Sequence, residues 1–90
     1  MQCLGHEQLS AVQLAASIEL QSIPDGADVV WLQADGDNVR MRGDGVAVTA
    51  TTGIALYNAA AHTEYRGKLS DLRFILEANT PALNVMYFGA

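Results

Sequence analysis

Asp35, Asp37 and Asp44 crowd two neighbouring glycine-containing stretches, and Asn38 adds a carbonyl oxygen beside them. Calcium takes about six to eight oxygen ligands, so carboxylates from adjacent loops have the right chemistry for it. The spacing is not that of a helix–loop–helix calcium site, because no glutamate follows where a bidentate ligand is needed. Asp and Asn are also ordinary tight-turn residues, whose side chains bond the local backbone. The turn assignment is preferred, and no metal is expected. Cys3, His6 and His62 are the softer candidates. Cys3 and His6 are close enough to share an ion, but the remaining ligands of a closed zinc site are absent. Each histidine is taken as a surface or interface side chain. Catalysis needs a nucleophile, a base and an orienting group in one concave site. Neither histidine lies in a glycine-framed turn and there is no serine elbow, so no enzyme and no cofactor are expected. Arg42-Gly43-Asp44 spells a tripeptide known for binding animal cell-surface receptors. It falls inside a turn, where three such residues recur for structural reasons alone.

The elements that must position these residues are strands. Val39 and Met41 alternate with Asn38, Arg40 and Arg42, as a half-buried strand requires. Leu72, Phe74 and Leu76 alternate with Asp71, Arg73 and Glu77, and only Ile75 breaks the polar face. Leu83, Val85 and Tyr87 alternate with Asn84, Met86 and Phe88; Val30, Leu32 and Ala34, and then Ile54 and Leu56, supply two more. Turn signals separate them at Pro24-Asp25-Gly26, Asp35-Gly36, Gly43-Asp44-Gly45, Arg66-Gly67 and Asn79-Thr80-Pro81. Short strands at that spacing predict an all-β, two-sheet antiparallel sandwich, jelly-roll-like, of about eight strands. Residues 9–20 fit two periods. Val12, Leu14, Ala16, Ile18 and Leu20 alternate, while Leu9, Val12, Ala16 and Leu20 suit a helical stripe; strand is preferred. Residues 1–8 show little pattern and are expected to form an N-terminal arm, with 9–90 a single sandwich domain.

Composition narrows the partners. Half the 90 residues are hydrophobic and 17% are charged, which is too apolar for a disordered tail. No run of roughly eighteen apolar residues is present, and no basic segment followed by an apolar one opens the chain, so neither a membrane span nor a secretory signal is expected. The lone cysteine cannot close an internal disulfide, which suits a reducing compartment. The net charge of −5 opposes binding to nucleic acid or to an anionic membrane, because phosphate recognition needs cations. Protein is the expected partner. Trp31, Ile75, Met86 and Phe88 fall on nominally outward faces, and large apolar residues there mark contact with another chain. Arg40, Arg42 and Arg73 also point outward, and arginine is favoured at interfaces for its carboxylate-pairing fork. These seven are the candidate interface residues.

Five stretches together resemble small bacteriophage virion structural proteins, the capsid decoration or cement family. They are Asn38-Val39-Arg40-Met41-Arg42 followed by Asp44-Gly45, Thr49 to Gly53, Leu69 to Ile75, Leu83 to Phe88, and upstream Ile23 to Ala27. The likeness covers about three-quarters of the chain, with Val48 where the family pattern has proline. The resemblance implies a non-enzymatic protein that binds and stabilises an assembled capsid shell. The implied partner is the major capsid protein or another virion protein. It further implies a homo-oligomer, dimer or trimer, assembled in the host bacterial cytoplasm and residing in the virion. The alternative it leaves is a tail or fibre-attachment component that presents loops to a receptor or connects virion parts. Period-two alternation over most of the chain predicts a far-UV circular dichroism spectrum dominated by strand; one dominated by helix would refute the sandwich.

Overall fold

A computed structural model describes residues 1–90. Seven strands form: β1 Gln2–Leu9, β2 Ala27–Asp35, β3 Val39–Arg42, β4 Ile54–Leu56, β5 Thr63–Arg66, β6 Arg73–Leu76 and β7 Ala82–Gly89. The only helical pieces are single 3₁₀ turns at Gln13–Ala15 and Leu69–Asp71, and no helix is long and apolar enough to cross a membrane. The strands pair antiparallel in two sheets, ordered β1–β7–β2–β5 and β4–β3–β6. In addition, Ile18 makes an isolated antiparallel bridge to Phe74 of β6. In a jelly roll, one long antiparallel hairpin wraps so that its strands are shared between two sheets. With the Ile18 segment placed between β1 and β2, the orders become β1–β7–β2–β5 and Ile18–β6–β3–β4, which is that wrapping. The expected sandwich is therefore present, with its eighth strand reduced to one bridge.

The alternation read from the sequence sets which side of each sheet is buried. Val30, Leu32 and Ala34 of β2 and Leu83, Val85 and Tyr87 of β7 face inward. Val39 and Met41 of β3, Leu56 of β4 and Phe74 of β6 meet them from the other sheet. No polar or charged residue is buried, so apolar packing between the two sheets holds them together.

Two expectations about the N-terminal portion are corrected. Residues 2–9 are not an arm but β1, paired with β7 from Gln2–Gly89 to Leu9–Leu83 and bulged between Cys3 and Gly5. Its pattern is faint because it is an edge strand, and a bulge offsets the alternation. Residues 9–20 form neither a continuous strand nor an amphipathic helix. After Leu9, the Ser10 N–H donates to Gln13 Oε1 (2.8 Å) and the Gln13 N–H donates to Ser10 Oγ (3.3 Å). This reciprocal Ser-x-x-Gln exchange has the form of a capping box and folds the chain just ahead of the 3₁₀ turn at Gln13–Ala15. Val12, which both periodicities put on a buried side, is 87% exposed, whereas Leu14 and Leu20 are buried.

The Thr-rich stretch closes on β3. Thr49 and Thr52 hydroxyls lie 2.7 Å apart, and the Thr52 N–H donates to the Thr49 carbonyl. Gly53 follows with φ +87°, and a Cβ there would sit 2.4 Å from the Met41 carbonyl oxygen. Only glycine fits so close an approach. Val48 donates its N–H to Ser17 Oγ (3.1 Å), a bond that proline at this position could not make.

Phe74 is fully buried between the sheets. Phe74→Ala is expected to cost about 3–5 kcal/mol, a large share of the stability of a domain this small. Thermal melting monitors this, and an unmoved midpoint would contradict the assignment of Phe74 to the core.

Candidate functional site

β7 runs through the middle of the four-stranded sheet, so its outward residues stand between those of β1 and β2. One cross-strand row is His6–Met86–Trp31–Glu64. A second is Gln8–Asn84–Gln33, and a third is Cys3–Phe88–Val29–Arg66. His6, Met86 and Trp31 of the first row and all of the second line a groove of about 700 Å³, walled on one side by Ala61 and His62 of the β4–β5 connection. The indole of Trp31 stacks on His62 (centroids 4.0 Å apart, 18° between planes) and leans on Phe88 at 4.4 Å. Trp31 Nε1 donates to Glu64 Oε1 at 2.9 Å. That bond, with a second from Arg66 (3.0 Å), holds the Glu64 carboxyl below its ordinary pKa. Gln8 Nε2 donates to Asn84 Oδ1 (2.9 Å) and Gln33 Nε2 to the Ala60 carbonyl (3.3 Å).

The other candidates gather on the opposite side of the molecule. Ala55–Arg40–Ile75 and Arg42–Arg73 are the outward rows of the three-stranded sheet. Each guanidinium has a carboxylate partner: Arg40 with Glu77 (2.8 Å), Arg42 with Asp44 (2.8 Å) and Arg73 with Glu19 (3.5 Å). Arg40 also donates to the Gly53 carbonyl (3.3 Å), tying the Thr-rich turn to β3. Ile54 and Val46 lie exposed on the β4 edge and the β3–β4 connection. The seven residues singled out in the sequence thus split into two groups on opposite faces, Trp31, Met86 and Phe88 on one and Arg40, Arg42, Arg73 and Ile75 on the other. Phe88 differs from the other apolar residues of its face. It is only 8% exposed because it is covered within its own sheet, against Trp31, so it offers little free surface.

Asp37 and Asp44 behave as turn residues, while Asp35 ends β2. Asp37 accepts from the Asn38 N–H (2.7 Å) and from the Asn79 side chain, and these bonds, the Asn79 one foremost, lower its pKa. Asp44 accepts from Arg42 and from the Val46 N–H (3.3 Å), and the Arg42 bond lowers its pKa most. The Arg-Gly-Asp stretch therefore folds its two charged ends onto each other. No three Asp, Glu, His or Cys side chains converge. Glu7 fastens separate parts of the chain. Its carboxylate accepts from the Tyr87 hydroxyl and from the N–H groups of Gln21 and Ser22 (3.3 and 2.8 Å). Burial first, and then this carboxylate, push the Tyr87 pKa up.

Comparison of the chain with protein-family models, with curated proteins and with solved structures gave no match. Of the groove residues, Trp31 and Met86 were visible in the sequence as large outward side chains. Gln8, Gln33 and Asn84 were not, because polar residues alternating with apolar ones read as plain solvated surface. His6 and His62 were visible as surface groups, but nothing local brings them to one groove.

The carboxylate shifts set an acid limit. Groups with lowered folded-state pKa stabilise the fold above their ordinary values, and that contribution disappears as pH falls through the lowered ones. The melting temperature is expected to fall below about pH 4, and a rise on acidification would contradict the Asp37, Asp44 and Glu64 contacts. Tyr87, shifted the other way, contributes below about pH 10 and loses that contribution above it. Chelator is expected to leave the melting temperature unchanged; a loss of several degrees restored by calcium would turn the aspartates into ligands.

Proposed function

We propose that this chain is a non-enzymatic bacteriophage virion structural protein of the decoration or cement type, which binds an assembled capsid shell and reinforces it. The proposed partner is the major capsid protein or a neighbouring virion protein, and the proposed location is the virion. What carries the reading is where three of the five resembling stretches fall in the fold; the other two, Leu83 to Phe88 in β7 and Ile23 to Ala27 leading into β2, belong to the four-stranded sheet. Asn38 leads into β3 (Val39–Arg42), Leu69 to Ile75 is the 3₁₀ turn running into β6, and β3 and β6 are paired neighbours. The Thr49–Gly53 turn packs on β3 through Gly53 and Arg40. Residues scattered over almost forty positions of sequence thus build one side of the molecule, whose outward surface is Arg40, Arg42, Arg73 and Ile75, with Val46 exposed on the adjoining β3–β4 connection.

That surface has the composition of a protein-binding patch: arginines with aliphatic residues between them. Its ion pairs are partly exposed, so each contributes little to the isolated fold and can be re-paired with carboxylates of a partner. A shell presents the same partner surface many times, so modest contacts suffice when copies are linked as a closed oligomer. We therefore take the three-stranded face, rather than the terminal strand, as the attachment surface.

The test is binding of the purified protein to capsids that lack it. Arg42→Ala combined with Val46→Ser, the more exposed residues of this side, is expected to weaken binding at least about tenfold, as loss of an interface cluster does, with the melting temperature little changed. Full binding by this variant would overturn the choice of face. Counting copies per particle by quantitative mass spectrometry checks the role itself: numbers matching the symmetry of a closed shell support decoration, whereas a few copies per particle support the tail-attachment alternative.

A further inference from the structure

We propose that the groove on the opposite face is a binding site for a neutral oligosaccharide, gripped by the amide row Gln8–Asn84–Gln33. The inference stands apart from the attachment reading, since it uses different residues on the other sheet.

Three observations carry it. First, the row alternates unspent hydrogen-bonding groups. Within the protein, Gln8 and Gln33 use only their Nε2 groups and Asn84 only its Oδ1. Gln8 Oε1, the Asn84 Nδ2 hydrogens and Gln33 Oε1 are left for a ligand, in the order acceptor, donor, acceptor across three adjacent strands. Strands lie about 4.8 Å apart, so the row spans about 10 Å. Amides that accept and donate side by side match hydroxyl groups, which do both.

Second, the apolar element sits beside the polar one. Met86, 41% exposed, lies one row along from the amides on the same face, beside Trp31, whose ring already contacts His62 and Phe88. A sugar ring has hydroxyls at its rim and C–H groups on its faces, and needs both kinds of surface. The groove, about 700 Å³, falls in the size range of small-molecule sites, which combine an apolar lining with a few placed polar groups.

Third, the lining favours a neutral ligand over the competing classes. No lysine or arginine lines the groove, so phosphate, sulfate and sialic acid would have only the imidazoles of His6 and His62 to pair with. The one lining carboxylate, Glu7, is taken up by Tyr87, Gln21 and Ser22, so a cationic ligand finds no free anion in the lining. An extended peptide would gain most from pairing its backbone with a strand edge. The floor of this groove is β7, paired on both sides by β1 and β2, so no backbone ladder is open to it.

Trp31 is the only tryptophan, which makes its emission a direct report from the groove. The experiment screens the purified chain against an array of neutral hexose and N-acetylhexosamine oligosaccharides, with sialylated and sulfated chains and extended peptides as separate arms. Hits are then titrated by Trp31 emission. A saturable change is expected for at least one neutral oligosaccharide, with a Kd of about 1 mM or tighter. Gln8→Ala with Gln33→Ala, both exposed positions, is expected to weaken that binding at least tenfold while leaving the melting temperature and capsid binding intact. Four results would overturn the proposal: no neutral oligosaccharide bound, binding confined to anionic chains, binding confined to peptides, or sugar binding indifferent to the loss of the two amides. Loss of capsid binding in the same double variant would count against the choice of attachment face as well.

Discussion

The register of β7 between β1 and β2 is the constraint on which the rest depends. Side chains alternate along a strand, so a one-residue slip moves every inward residue outward. In the observed register, Leu83, Val85 and Tyr87 enter the core while Asn84 and Met86 form the groove floor. Both neighbours hold it there: β1 pairs with β7 along its whole length, and so does β2 on the other side. Tyr87 adds a polar fastening, since its hydroxyl reaches Glu7, which in turn holds the backbone at Gln21 and Ser22. One strand thus contributes to the core, to the closure of the chain ends and to the outward groove.

The two faces that result differ in chemistry. The three-stranded side carries Arg40, Arg42 and Arg73 around Ile75, each arginine with a carboxylate in reach. The four-stranded side offers amides, two histidines, Trp31 and Met86, and no lysine or arginine lines its groove. A two-layer sandwich has both outer faces free once its core is packed. The proposed division of labour follows from this: the arginine face toward a protein shell, the amide face away from it.

Much of the fold was legible in the sequence because alternation reports burial directly. The inward rows of β2, β3, β6 and β7 were all visible this way, Phe74 included. The segments that misled did so for identifiable reasons. β1 is a bulged edge strand, and the core-facing side of such a strand can hold a residue like Glu7. In residues 9–20, the Ser10–Gln13 exchange overrode an apolar pattern, and its Ser-x-x-Gln signature went unread beside the two apolar periods. The outward position of Phe88 was legible, but its burial was not, since that depends on Trp31 lying one strand away. The groove was the least legible feature. His6, Met86 and Trp31 share a row only because the chain's first and last strands meet, and no local signal encodes that pairing.

Oxidative footprinting of the shell-bound protein tests the division into two faces most directly, because Met86 and Trp31 both react readily and both lie on the groove side. With the arginine face against the shell, the two residues are expected to be oxidised at nearly the same rate in free and shell-bound protein. Peptides covering β3, β6 and the connection through Val46 should be protected from labelling on binding. Protection of Met86 and Trp31, with β3 and β6 left open, would contradict that orientation.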